Sequence, residues 1–212
     1  MATSRIPSEK ELQDAAYAQA QDAIAKARAS GASYLTLSTA DLAVVPQDIG
    51  TLTVLTDLSL GRSPVSDISA LSGLTALSFL DLSDTQVSDI SALSGLQELN
   101  LMGTSVSDLS PLLRLTQLAA DDHGSAGLAF QNTAAALADP RIAEIADIED
   151  HPKRATDLFA YLRKIPKGVA RSIEKLNTRV DTTQQDVTEL ETRVSTAMER
   201  LDGFDADYES RL

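Results

Sequence analysis

The sequence predicts an α/β repeat fold: a short solenoid capped by helices and followed by a long coiled-coil helix. Three observations carry this expectation. The ten-residue string Val65–Leu74 recurs letter for letter at Val87–Leu96, an offset of 22 residues, and Val106–Leu115 keeps six of the ten letters. The triplets Leu35-Thr36-Leu37, Leu58-Ser59-Leu60, Leu80-Asp81-Leu82 and Leu99-Asn100-Leu101 alternate in the way a short strand does. Beyond residue 166 the apolar spacing changes to a heptad.

Residues 1–31 read as an N-terminal capping helix. Ser8 and Glu11 form a capping-box pair, and Gly31 stands where a C-cap glycine belongs. Between them Leu12, Ala16, Ala20, Ala23, Ile24 and Ala27 recur at steps of three and four. This narrow stripe of mostly small residues suits the helix to cover the open hydrophobic end of a solenoid.

Residues 32–120 hold the repeats. Each Leu-x-Leu turns its leucines inward and its middle residue outward. A small polar residue, a Val, a Ser-Asp-Ile/Leu-Ser segment and leucines spaced by three then complete the coil. Ser66, Ser88 and Ser107, or the Asp after each, are placed to cap a short helical turn. The array is uneven. Leu74 to Leu80 is six residues but Leu96 to Leu99 is three, so the unit from Val87 to Val106 is only 19 residues long.

Residues 121–166 read as a helical C-terminal cap. Leu128-Ala129-Phe130 fits a last short strand, and helical spacing runs through 134–138, 141–148 and 152–164. Pro140 and Pro152 fall at or near first helical positions, where a missing N–H is harmless. Leu158, Phe159, Tyr161 and Leu162 offer the bulk to seal the last leucines, and Ile165-Pro166-Lys167-Gly168 ends the segment.

Residues 167–212 form the expected coiled coil. Ile173, Val180, Val187, Val194, Leu201 and Tyr208 occupy position a; Val169, Leu176, Thr183, Leu190, Ala197 and Phe204 occupy position d. At ~1.5 Å per residue the rod would be roughly 65 Å long. Its oligomerisation residues are Ile173, Leu176, Val180, Val187, Leu190, Val194 and Leu201. β-Branched residues at a with Leu at d favour a parallel homodimer, with a trimer and antiparallel or intramolecular pairing open.

Composition narrows the function. The 212 residues include 43% hydrophobic but only 4% aromatic side chains and no Trp, so the core must be aliphatic. A formal charge of −13 sets the chain against nucleic acid and anionic membranes. Cys is absent, the N-terminus shows no apolar signal region, and no apolar run approaches the ~18 residues of a membrane span. A cytoplasmic protein without membrane insertion is expected.

The unit Leu80-Asp81-Leu82-Ser83-Asp84-Thr85-Gln86-Val87-Ser88-Asp89-Ile90-Ser91-Ala92-Leu93 resembles the bacterial leucine-rich repeat of the internalin-like, 22-residue type. The resemblance covers roughly residues 31–118. Many such repeats carry Asn where this chain has Ser63, Thr85 and Thr104, and a hydroxyl there satisfies the backbone more weakly. The resemblance implies a solenoid that binds protein on its concave strand face. It also implies that such a module can stand as the regulatory or sensor front end of a longer protein, an alternative consistent with a heptad still running at Leu212.

No catalytic constellation is present: phosphate-binding loops, HExxH and GxSxG are all missing, and there are only two histidines. No cofactor or metal is expected. The column Asp67, Asp89, Asp108 reads as helix caps, and Asp121-Asp122-His123 as a loop. The non-enzymatic alternative is a binding face. In register, the outward residues form the columns Tyr34-Asp57-Phe79-Glu98, Thr36-Ser59-Asp81-Asn100 and Ser38-Gly61-Ser83-Met102. Tyr34, Asp57, Phe79, Asp81, Glu98, Asn100 and Met102 are the candidate contacts, with apolar anchors for energy and charges for selectivity. Residues 31–120 hold nine acids against Arg62 and Arg114, so a protein partner with a basic patch is the natural complement.

Overall fold

The computed structural model describes residues 7–119 and 127–165. These belong to the first of the two units into which the chain divides, Met1–Ile165 and Pro166–Leu212. The heptad residues Ile173, Leu176, Val180, Val187, Leu190, Val194 and Leu201 lie outside the described residues, as do Asp121, Asp122 and His123.

Helix α1 (Glu9–Ser30) starts at a complete capping box. The Ser8 and Glu11 side chains each accept from the other residue's backbone N–H. Gly31 ends the helix at φ 65°, a left-handed conformation that lets its N–H reach the last-turn carbonyls. Ala16, Ala20, Ile24 and Ala27 are buried, so the alanine stripe packs on the first coil and the rest of the helix faces water.

Five strands follow, β1 (Tyr34–Thr36), β2 (Asp57–Ser59), β3 (Phe79–Asp81), β4 (Glu98–Asn100) and β5 (Leu128–Ala129). They form one parallel sheet in chain order. Successive strands are offset by 23, 22, 19 and 29 residues. This is an α/β repeat fold, in which each coil contributes one strand and stacks on its neighbours. The strands begin one residue before the Leu-x-Leu triplets. Leu58, Leu80 and Leu99 sit at the strand centres and are buried, and Leu37, Leu60, Leu82 and Leu101 just beyond the strands are buried too. Leu35, on the edge strand, is only half-buried.

After each of β2 to β5 the backbone bends through a left-handed residue: Arg62 (φ 61°), Asp84 (φ 54°), Gly103 (φ 68°) and Asn132 (φ 56°). The next residue carries a buried hydroxyl that bonds the carbonyl three positions back. Ser63 donates to Leu60 O (2.5 Å), Thr85 to Leu82 O (2.7 Å), Thr104 to Leu101 O (2.7 Å) and Thr133 to Phe130 O (3.0 Å). Thr133 extends this column into the C-terminal cap, where the wider strand offset hides it from the sequence pattern.

On the far side of the coils, 3-10 helices run Gln47–Thr51, Ser69–Gly73 and Ser110–Arg114. In the coils after the first, the aspartates rather than the serines before them hold the bend into this side. Asp67, Asp89 and Asp108 each accept from the N–H two residues on, in Ser69, Ser91 and Ser110, at 2.8 Å. The first two helices stack closely, because a Cβ on Gly73 would lie 2.7 Å from Gly50 O. The third coil breaks the series. Ser69–Gly73 is a 3-10 helix, whereas the identical letters at 91–95 are not helical and Gly95 turns to φ 71°. Three missing residues before β4 leave no room for the helix, and Leu96 stands directly ahead of its strand as Leu77 does.

Helices α2 (Ala134–Ala138), α3 (Pro140–Ala146) and α4 (His151–Lys164) close the C-terminal end. Thr133, Asp139 and Asp150 cap them, and Pro140 and Pro152 fall in their first turns. Leu158 and Phe159 are buried in the core, and Tyr161 and Leu162 pack against it partly buried. Arg154 is the one buried charged residue among those described, 5% exposed. Its Nε donates to Ile148 O (2.7 Å) and its Nη1 to Leu128 O (3.0 Å). Burial lowers its pKa, with Asp147 opposing the shift. No helix among the described residues is long and apolar enough to cross a membrane.

Candidate functional site: the outward face of the sheet

Strand pairing brings the candidate contacts together as columns. Tyr34, Asp57, Phe79 and Glu98 are successive register partners, as are Thr36, Ser59, Asp81, Asn100 and Ala129. Beyond the strands the ladder continues, with Arg62 N–H on Ser83 O, Asp84 N–H on Met102 O and Gly103 N–H on Gln131 O. This places Gly61, Ser83, Met102 and Gln131 at the same level of their coils. Tyr34 is 73% and Met102 39% exposed, Asp57 is exposed, and Phe79, Asp81, Glu98 and Asn100 are half-buried. Within the strands, alternation with the buried central leucines sets the outward orientation of these side chains.

The acids on this face differ in how far they are already engaged. Asp81 Oδ1 accepts from Ser83 N–H (3.0 Å) and Ser83 Oγ (2.7 Å), and Oδ2 accepts from Ser59 Oγ (3.0 Å). Ser59 Oγ in turn lies 3.0 Å from Ser38 Oγ, so a hydroxyl chain crosses three coils and ends on Asp81. Gly61 makes room for this arrangement. A Cβ there would lie 2.7 Å from Asp81 Oδ2 and 2.8 Å from Ser83 Oγ. Asn100 repeats part of the motif, its Oδ1 accepting from Met102 N–H at 3.1 Å. The supporting residues Ser38, Ser59, Gly61 and Ser83 are not candidate contacts in the sequence. The Asp/Asn-x-x step that leads out of both β3 (Asp81) and β4 (Asn100) is the signal that could have pointed to them.

Among the described residues Asp57 accepts only from the Thr56 hydroxyl next to it (2.5 Å). Glu98 has no side-chain hydrogen bond or ion pair among the described residues. Neither Lys nor Arg occupies any outward strand position, and among the described residues no cation pairs with these carboxylates. Among the described residues no group of three His, Cys, Asp or Glu side chains could hold a metal ion. What the face offers chemically is hydrogen-bond acceptors and negative charge beside two aromatic rings and a thioether.

No protein-family model and no curated protein matches the chain. Among solved structures it is similar to an internalin from Listeria monocytogenes, at 28% identity over 58% of this chain and 36% of the internalin chain, with a TM-score of 0.43. The chain thus spans about a third of that protein's length.

Proposed function

We propose that the repeat unit is a non-enzymatic protein-binding module whose strand face receives a protein partner carrying a basic patch. The observation that carries this reading is the in-register column Tyr34-Asp57-Phe79-Glu98. It joins exposed aromatic surface to uncompensated carboxylates on a backbone that the ladder holds rigid, the combination from which interface hot spots are built. The heptad at 167–212 supports a second element of the reading, oligomerisation into a dimer or trimer. Linking copies this way raises avidity without new contacts.

The test is affinity purification on the full chain beside the triple variant Tyr34→Ala, Asp57→Ala, Met102→Ala. A protein retained by the parent should bind the variant at least tenfold more weakly, in line with loss of ~2 kcal/mol at hot-spot positions. Equal retention removes the strand face from the function. Light scattering checks the oligomer, with two or three chains expected for the parent and one for Val187→Glu, Leu190→Glu.

A further inference from the structure

Phe79 lies between two carboxylates. Its register partners on either side are Asp57 and Glu98, and neighbouring strands are ~4.8 Å apart. The two acids therefore stand about 9–10 Å from each other at backbone level, with an aromatic ring between them. Beyond Asp57 comes a second ring, that of Tyr34. The adjoining Asp81 is a different case, because three hydrogen bonds from Ser59 and Ser83 already occupy its oxygens. Asp57 and Glu98 thus hold the unspent acceptor capacity of the face.

A cation is the complement of this arrangement, and its shape can be specified. The face of an aromatic ring attracts positive charge, and a planar guanidinium can stack on it while donating from its edges. Over Phe79, a guanidinium would have one carboxylate beyond each edge, within reach of charge-assisted hydrogen bonds. A compact ammonium, as a point charge, can satisfy only one side at a time.

We propose that Asp57, Phe79 and Glu98 form a subsite that reads an arginine side chain of the partner protein, with Tyr34 extending the aromatic wall. This rests on the strand-face reading above and names the chemistry that face selects.

The experiment follows the fluorescence anisotropy of dye-labelled hexa-arginine and hexa-lysine peptides on the full chain. Hexa-arginine should bind the parent more tightly than hexa-lysine. Phe79→Leu keeps the charge and bulk but removes the ring, and should weaken hexa-arginine about fivefold and hexa-lysine less, because an ammonium loses the ring's attraction but no stacking. Asp57→Asn, Glu98→Gln should weaken hexa-arginine about tenfold. A control, Asp14→Asn, Glu149→Gln, removes the same charge from exposed sites elsewhere and should change it less than about twofold.

Equal binding of the two peptides, or equal losses in the control and face variants, would mean attraction by net charge alone and overturns the subsite. Self-association of the parent that disappears in Asp57→Asn, Glu98→Gln would seat a second copy on the face and overturns it too. In either case a purified partner still lost from the Tyr34, Asp57, Met102 variant leaves the strand-face reading standing. A partner indifferent to every face variant removes both.

Discussion

Gly103 sits at φ 68°, and a Cβ added there would collide with Asp84 Oδ1 of the preceding coil. The exposed Asp84 carboxylate can swing aside, so the cost that remains is that of a side chain in the left-handed region. Gly103→Ala should lower stability by about 1–3 kcal/mol, read from the urea midpoint. Arg62 and Asp84 hold the same left-handed bend with side chains present, and both are exposed. A second residue-scale effect depends on pH. Hydrogen bonds from the Ser69 and Ser91 N–H groups lower the pKa of Asp67 and Asp89 below the ordinary 3.8. Folding thus favours their ionised forms, so the stabilisation is present above the ordinary carboxylate range and is lost as pH falls through the lowered values. Asp67→Asn, Asp89→Asn keeps an acceptor but cannot titrate. The melting-temperature advantage of the parent over this variant should shrink as the pH is taken from neutral into that acidic range.

At the scale of the element, Arg154 fixes α4 to two carbonyls, Ile148 O and Leu128 O. Arg154→Met keeps most of the volume and strands both acceptors, at a cost of about 3 kcal/mol in denaturant unfolding. Much of the element structure is legible in the sequence because it depends on local chemistry: the Ser8–Glu11 box, Gly31, and the capping Asp139 ahead of Pro140 all act within one turn. Arg154 was less visible. Its charge argues for a solvated position, although it shares a helical face with Leu158 and Tyr161, four and seven residues on, and that spacing was the available signal. The candidate face was legible as columns, since period two and the repeat offset suffice to draw them. Which acids on it are already engaged was not legible. Ser59 belongs to the coil before Asp81, and their hydrogen bond exists only once β2 and β3 are paired.

For the whole repeat unit, the duplicated string shows how far local sequence decides backbone shape. Val65–Leu74 and Val87–Leu96 are identical, yet only the first forms a 3-10 helix. The distance to the next strand decides between them, because the ladder fixes where Leu80 and Leu99 must sit. Inserting Thr-Ala-Leu after Leu96 would restore the spacing of the preceding coil. The insertion should be tolerated without loss of melting temperature, and proton NMR should show the Gly95 amide and Hα resonances move as its positive φ is lost. A drop of several degrees would mean that the short coil is packed for its own length.

The bond from Arg154 to Leu128 O has a consequence for how the sheet terminates. In β5, Gly127 O and Ala129 O accept from β4, so Leu128 O points the opposite way, off the last edge. Every coil of such a stack presents to the next the same ladder that it received, and a bare final strand would be a template for another molecule's first one. The guanidinium fills the acceptor at that edge with a donor that is anchored in α4, and at the other end the alanine stripe of α1 covers the first coil. A hydrogen-bond donor at one end and an apolar helix face at the other therefore leave the described stack less open to end-to-end pairing than bare coils would be.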